Sequence, residues 1–144
     1  MDYALITVKF PSLVPVEVTK SQMKRGSYEK RLFASASCFP VFPLCHIDGE
    51  NFIDGGYYDN LPIASAFRHG AGEVVAIDLN SVPAHPHYAA HPQVKYIRPF
   101  EGLGAFLLFD QKPIKRNRVP GYNDTMKAYR RLSGIKYYFE TRER

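Results

Sequence analysis

Phe52-Ile53-Asp54-Gly55-Gly56-Tyr57-Tyr58-Asp59-Asn60-Leu61-Pro62-Ile63 runs from an apolar arm into an acid, two glycines and a proline-opened helix. An acid at the end of an apolar strand, followed by glycine, is where an α/β protein exposes a functional group. Gly55 and Gly56 are free to take positive φ, and they leave the carboxylate with no neighbouring side chain over it. Asp-Gly is also a common turn pair, so a plain turn stays open as the other reading.

Upstream, residues 45–47 and 51–53 are short apolar arms around Asp48-Gly49, a favoured hairpin turn. Residues 3–10 read as a strand and 16–19 as a second, short one. Ser27 is placed to cap a helix reaching Ala36, with Tyr28, Leu32 and Ser35 or Ala36 on one face. Phe39-Pro40-Val41-Phe42-Pro43 stops that helix, because each proline disfavours helix in the residue before it.

Downstream, Leu61-Pro62 opens a helix that Gly70 ends. Residues 73–79 form a near-continuous apolar run, expected as a strand buried on both faces in a parallel sheet. A Pro/His-rich loop follows over 80–92, then a last strand over 94–98 and a short apolar helix over 103–109. The final helix is expected from about Gly121 to Ser133, with Tyr122, Met126, Tyr129 and Leu132 on one face and Gly134 as its stop. Strands alternating with helices make the fold class α/β.

At 144 residues, with 45% hydrophobic and 23% charged, the composition is that of an ordinary globular chain. Disorder, collagen and coiled coil are excluded on that ground, and no window nears the roughly 18 apolar residues of a membrane span. Cys38 and Cys45 make no disulfide framework and no C-x-x-C pair, which favours a reduced, cytoplasmic setting. Charge is uneven: residues 1–92 carry 7 Lys/Arg against 9 Asp/Glu, and residues 93–144 carry 12 against 5. The basic surplus includes Lys112, Lys115, Arg116 and Arg118, then Arg130, Arg131, Arg142 and Arg144. Such a skew reads first as a solvated face; the alternative is an anionic partner, a lipid headgroup or a nucleic acid.

Ala34-Ser35-Ala36-Ser37-Cys38-Phe39-Pro40 with Phe42-Pro43, then Ile47-Asp48-Gly49, Asp54-Gly55-Gly56, Gly70-Ala71 and the 74–79 run resemble the C-terminal half of patatin-like phospholipases. The Gly121-Tyr122-Asn123-Asp124 helix start also resembles bacterial members of that family. The similarity covers almost the whole chain, in order. It implies that residues 1–144 are the C-terminal portion of one acyl hydrolase domain, with a three-layer α/β/α fold and a mostly parallel central sheet.

The chemistry it implies is a Ser–Asp dyad with no cofactor, acting on acyl esters of phospholipids or related lipids. In that family the Asp of the D-G-G motif, here Asp54 with Gly55 and Gly56 as its turn, is the general base for the serine hydroxyl. The family's nucleophile sits in a G-x-S-x-G elbow and its oxyanion hole in a glycine-rich loop. Neither motif occurs in this sequence. Ser27 follows Gly26 directly, Ser35 and Ser37 lie in a helix without flanking glycines, and Ser133-Gly134 is a helix end, so no serine here is assigned as nucleophile. The other readings are a non-catalytic module binding a lipid surface or a protein, and a split enzyme whose elbow lies on another chain.

His85, His87 and His91 have a spacing that could wrap a transition metal, but the cluster holds no cysteine or acid, and no metal is assigned. His46 and His69 flank elements and read as structural. Lys112-Pro113-Ile114-Lys115-Arg116-Asn117-Arg118 is the segment for peripheral contact with an anionic membrane surface, at about 1 kcal/mol per well-placed cation. Leu103, Phe106, Leu107, Leu108 and Phe109 before it read as core more readily than as lipid contacts. No nucleic-acid recognition motif is present. With one side of its 74–79 strand uncovered, the isolated chain is expected to be poorly soluble, oligomeric or partly unfolded.

Overall fold

The computed structural model describes residues 3–80, 82–104 and 111–132. The chain forms two compact units, residues 1–60 and 61–144. In the first, β1 (Ala4–Phe10), β2 (Pro15–Thr19), β3 (Cys45–Ile47) and β4 (Glu50–Asp54) make a four-stranded sheet in the order β2-β1-β4-β3. Every pairing in it is antiparallel, where the family resemblance implies mostly parallel strands. Short connections force two of the pairings: β1 and β2 are joined by four residues and β3 and β4 by two, too few for the crossover that parallel neighbours need, while β1 meets β4 across a long stretch of chain.

The β3–β4 turn is the one read from the sequence. Asp48 and Gly49 both take positive φ, 52° and 85°, and Ile47 pairs with Glu50 across a two-residue loop. That twist matches the flanking strands, which is why Asp-Gly is favoured there. Helix α1 (Tyr28–Ser35) packs on the sheet through Ala34, which is buried with Ile47 and Phe52 against Val16 and Cys45. Ser27 precedes the helix but its side chain does not cap it; the hydroxyl donates to the Lys24 carbonyl at 2.8 Å.

In the second unit, β5 (Val74–Ile77) and β6 (Val94–Ile97) pair in parallel, with Val74 opposite Val94 and Ile77 opposite Ile97. Helix α2 (Ile63–Arg68) begins one residue after Pro62, which is its N-cap, and ends before Gly70, whose φ of +86° favours glycine. Ile63, Ala76 and Val94 form the core, packed by Leu61, Phe67, Val74, Tyr88 and Tyr96. β5 is not buried on both faces. Ala76 points inward, but Val75 is 54% exposed and Ile77 and Leu79 are each 63% exposed. A continuous apolar run reads as two-sided burial, yet with strand alternation only one side meets the core.

Two further expectations change. The loop over 80–92 contains a short helix, α3 (Pro86–Ala89), entered through a proline in its first turn. The last described helix, α4 (Gln111–Ala128), starts ten residues before Gly121 and runs through Pro120. Proline removes one helix hydrogen bond. The helix is fastened on both sides of the proline: Arg116 and Asn117 donate to the Leu103 carbonyl at 3.1 and 2.9 Å, and the Phe100 amide donates to Asp124 at 3.2 Å. The basic segment is therefore helical. Leu103 and Gly104 are not helical, and the rest of the apolar helix expected over 103–109 lies outside the described residues, as do Ser133 and Gly134. No helix among the described residues is long and apolar enough to cross a membrane.

Candidate active site

Asp54 is the last residue of β4, opposite Thr7 of β1 in the register. Its backbone amide donates to the Ser37 carbonyl at 2.9 Å, which ties the strand end to the segment just after α1. Its carboxylate accepts the Gly56 amide through Oδ1 at 2.7 Å, so Asp54 caps the 3-10 turn Gly55–Tyr57. One carboxylate oxygen is thereby oriented by the backbone. A charge-assisted bond of this kind holds the side chain in one rotamer, which a general base requires.

The two glycines are needed for a reason other than φ, since neither takes a left-handed conformation. Gly55 is buried where β1 passes: a Cβ there would lie 2.2 Å from the Ile6 carbonyl oxygen and 2.7 Å from its carbon. Gly56 is looser, with a Cβ meeting Asn60 Oδ1 at 3.1 Å and Asp54 Oδ1 at 3.2 Å. A side chain at residue 55 is excluded by backbone, and one at residue 56 would press on the carboxylate itself.

Ser35 and Ser37 are both brought beside this turn, and both hydroxyls are engaged. Ser35 Oγ donates to the Ile6 carbonyl at 2.8 Å, the oxygen that Gly55 passes, and Ser37 Oγ donates to the Phe33 carbonyl at 2.7 Å. The first ties α1 to β1, and the second closes the end of α1 on itself. Tyr57, two residues past Gly55, donates its phenol to the Phe39 carbonyl, with Cys38 Sγ at 3.9 Å. The phenol is held above its ordinary range by the hydrogen bond with Cys38, then by loss of solvent, then by negative charge at Cys38 and Asp54. Tyr57 was not singled out from the sequence. Its place within three residues of the acid is the only cue the sequence offers.

A second acid at a strand end also escaped the sequence reading. Asp78 follows β5 and is buried, its carboxylate accepting from the Asn80 amide and side chain (both 2.9 Å), the Ala84 amide (2.8 Å) and the Tyr96 hydroxyl (2.6 Å). Burial works against its charge, but the hydrogen bonds from Ala84, Tyr96 and Asn80 outweigh it and hold the carboxyl below the usual range. Tyr96 is correspondingly raised, by burial first and then by Asp78. With both oxygens occupied by the protein, Asp78 fastens the 80–84 loop and β6. Both acids stand at the end of an apolar strand, but Asp54 is followed by Gly55-Gly56 and Asp78 by Leu79-Asn80.

His85, His87 and His91 gather around Tyr88, with ring centroids 6.2, 4.2 and 5.9 Å from it. Phe67 lies 5.5 Å from the His91 ring. Among the described residues no group of three His, Cys, Asp or Glu side chains is arranged to hold a metal ion. His46 Nδ1 shares a hydrogen bond with Asn51 across the hairpin at 3.0 Å, and His69 is the residue at which α2 ends.

No family model matches the chain. Over 49 residues, 34% of its length, it is 39% identical to the lysophospholipase NTE1 of Meyerozyma guilliermondii, of which the match covers 3%. Over 68 residues, 45% of its length, it is 32% identical to the lysophospholipase NTE1 of Candida albicans and 34% identical to that of Yarrowia lipolytica, covering 5% of each. The chain thus spans only a small part of these curated relatives. It is a mixed α/β chain similar, over less than half of its own length, to fungal lipid hydrolases.

Proposed function

We propose that residues 1–144 supply the carboxylate half of a patatin-like lipid acyl hydrolase site, with Asp54 as general base and a serine nucleophile outside this sequence. Asp54 takes the proton from that serine hydroxyl as its oxygen attacks the ester carbonyl of a phospholipid or lysophospholipid. It then passes the proton to the departing alcohol and activates water for the second half-reaction. Gly55 and Gly56 form the turn that carries the acid. Ser35 and Ser37 are spoken for by carbonyls, and the sequence has no G-x-S-x-G elbow, both of which support a nucleophile elsewhere.

The observation that carries the reading is the bond from the Gly56 amide to Asp54 Oδ1 at 2.7 Å, at a strand end where Gly55 admits no side chain. The matches to proteins named lysophospholipases support a lipid substrate. On this reading the chain works in the cytoplasm with peripheral access to membrane lipid, without cofactor and without nucleic acid. In the intact enzyme that carries this sequence, Asp54→Ala and Asp54→Asn are expected to lower lysophospholipid and short acyl ester hydrolysis by about 10²–10⁴. The 144-residue chain alone is expected to have no esterase activity. Wild-type turnover by either variant, or esterase activity of the chain alone, overturns the proposal.

A further inference from the structure

We infer that Asn60 is a specificity-determining residue of the Asp54 site and recognises a hydroxyl on the leaving alcohol of the acyl ester. The observation is the open side of Gly56. A Cβ there would meet Asn60 Oδ1 at 3.1 Å, Asp54 Oδ1 at 3.2 Å and Asn60 Cγ at 3.7 Å. Glycine leaves that space open, and its two rims are acceptor oxygens from different side chains. The backbone brings them together. The Tyr58 and Asp59 amides both donate to the Gly55 carbonyl, at 2.9 and 3.0 Å, and this folding-back returns Asn60 to the side of Asp54. Gly55 is required by the backbone of β1, whereas a side chain at Gly56 would first meet these two side chains. The niche is therefore what a residue larger than glycine would close.

Two acceptors facing one space call for a donor. The Gly56 amide supplies one to Asp54 Oδ1 from within the turn, which leaves Oδ2 for the serine proton. Asn60 is exposed, and no hydrogen bond among the described residues uses its side chain. A carboxamide suits a hydroxyl in particular, because it accepts through Oδ1 and donates through Nδ2, whereas a carboxylate only accepts. Position selects which hydroxyl. As the acyl carbon–oxygen bond breaks, the departing oxygen takes the serine proton from Asp54, so the carbon next to that oxygen lies against the carboxylate. In a lysophospholipid the glycerol carbon beside the ester bears a free hydroxyl, while a headgroup ammonium stands at the far end of the leaving alcohol. The inference rests on the reading of Asp54 as general base and adds the class of ester: one whose leaving alcohol is a polyol.

The test is hydrolysis, by the intact enzyme that carries this sequence, of lysophosphatidylcholine and of its analogue without the glycerol hydroxyl. Neither has a donor in its headgroup. The readout is the ratio of the two kcat/KM values, which general damage to the fold leaves unchanged. The wild type is expected to prefer the hydroxyl-bearing ester about tenfold, the worth of one or two hydrogen bonds. Asn60→Leu and Asn60→Ala should each bring the ratio close to unity, and Asn60→Gln, which keeps the carboxamide, should restore part of it. A wild type indifferent to the hydroxyl overturns the inference. So do Leu and Ala variants that keep the wild-type ratio or lose both activities outright. An Asn60→Leu enzyme that keeps its hydroxyl preference but loses a preference for lysophosphatidylethanolamine over lysophosphatidylcholine would make the ammonium the ligand, and also overturns it. Asp54→Asn separates the two levels. If it abolishes hydrolysis of both esters while Asn60→Leu keeps the wild-type ratio, the role of Asn60 alone fails; if it turns over at the wild-type rate, the general base fails.

Discussion

Gly55→Ala is the most direct probe of why the acid-glycine turn has its sequence. The added methyl would lie 2.2 Å from the Ile6 oxygen and 2.7 Å from the Ile6 carbon, both backbone atoms of β1. A relaxed carbon–oxygen contact is about 3.3 Å, so strand and turn must part by about 1 Å. Overpacking of that kind costs about 1–3 kcal/mol. The bond from Ser35 to the same carbonyl, worth about 1 kcal/mol, is strained with it. The sum, about 3 kcal/mol, corresponds to a fall in melting temperature of about 10 °C for a chain of this size. Two other glycines calibrate the measurement. Gly72→Ala, with nothing within 4 Å and no left-handed φ, should be neutral or stabilise by about 0.4–1 kcal/mol. Gly56→Ala meets only the side-chain oxygens of Asn60 and Asp54 and should cost about 1 kcal/mol or less while displacing the carboxylate. Thermal unfolding, with amide exchange at β1 and β4 to localise the effect, reads all three. A Gly55→Ala protein within about 0.5 kcal/mol of wild type would refute the close-approach argument.

Tyr96→Phe removes the 2.6 Å bond to Asp78 and should destabilise by about 1.5–3 kcal/mol, measured by urea denaturation at neutral pH. Because the folded protein holds the Asp78 carboxyl below its usual value, that charge stabilises the fold above about pH 4 and the contribution is lost as pH falls further. Asp78→Asn should therefore lose stability at neutral pH and converge toward wild type in acid; a constant gap across that range would exclude the linkage. Pro120→Ala restores a backbone donor inside α4 and should stabilise by up to about 3 kcal/mol in a thermal melt, and a loss of stability would show that the proline is required there. Val75→Lys/Ile77→Lys, at exposed positions of β5, should raise soluble yield and slow light-scattering growth, with unchanged aggregation counting against an edge-driven mechanism.

Features encoded within a few residues were legible. The hairpin follows from Asp48-Gly49, β1 and β2 from their β-branched runs, and the place of Asp54 at a strand end from an apolar arm running into glycine. What the sequence hid depends on partners far along the chain. Pairing of β1 with β4 sets Thr7 opposite Asp54, a separation of 47 residues that no periodicity encodes, and it decides both the antiparallel sheet and the need for glycine at residue 55. Gly121 reads as the helix start because the apolar face of Tyr122, Met126, Tyr129 and Leu132 begins there, whereas the helix runs through Pro120 with bonds to Leu103 and Phe100 on either side of it. Asp78 also ends an apolar strand, and its hydrogen-bond donors Ala84 and Tyr96, six and 18 residues away, are invisible until the loop is closed.

The uncovered side of β5 bears on how the chain is made as well as on how it packs. β5 and β6 can pair only after the intervening 16 residues, 78–93, have closed. Until then Val74-Val75-Ala76-Ile77, four apolar residues without charge or proline, is available to any other chain in the same state. Intramolecular closure is first order and chain-to-chain pairing is second order. The fraction that folds is therefore set by synthesis rate and local concentration, so slow expression at low temperature should recover more protein than any change of buffer after lysis.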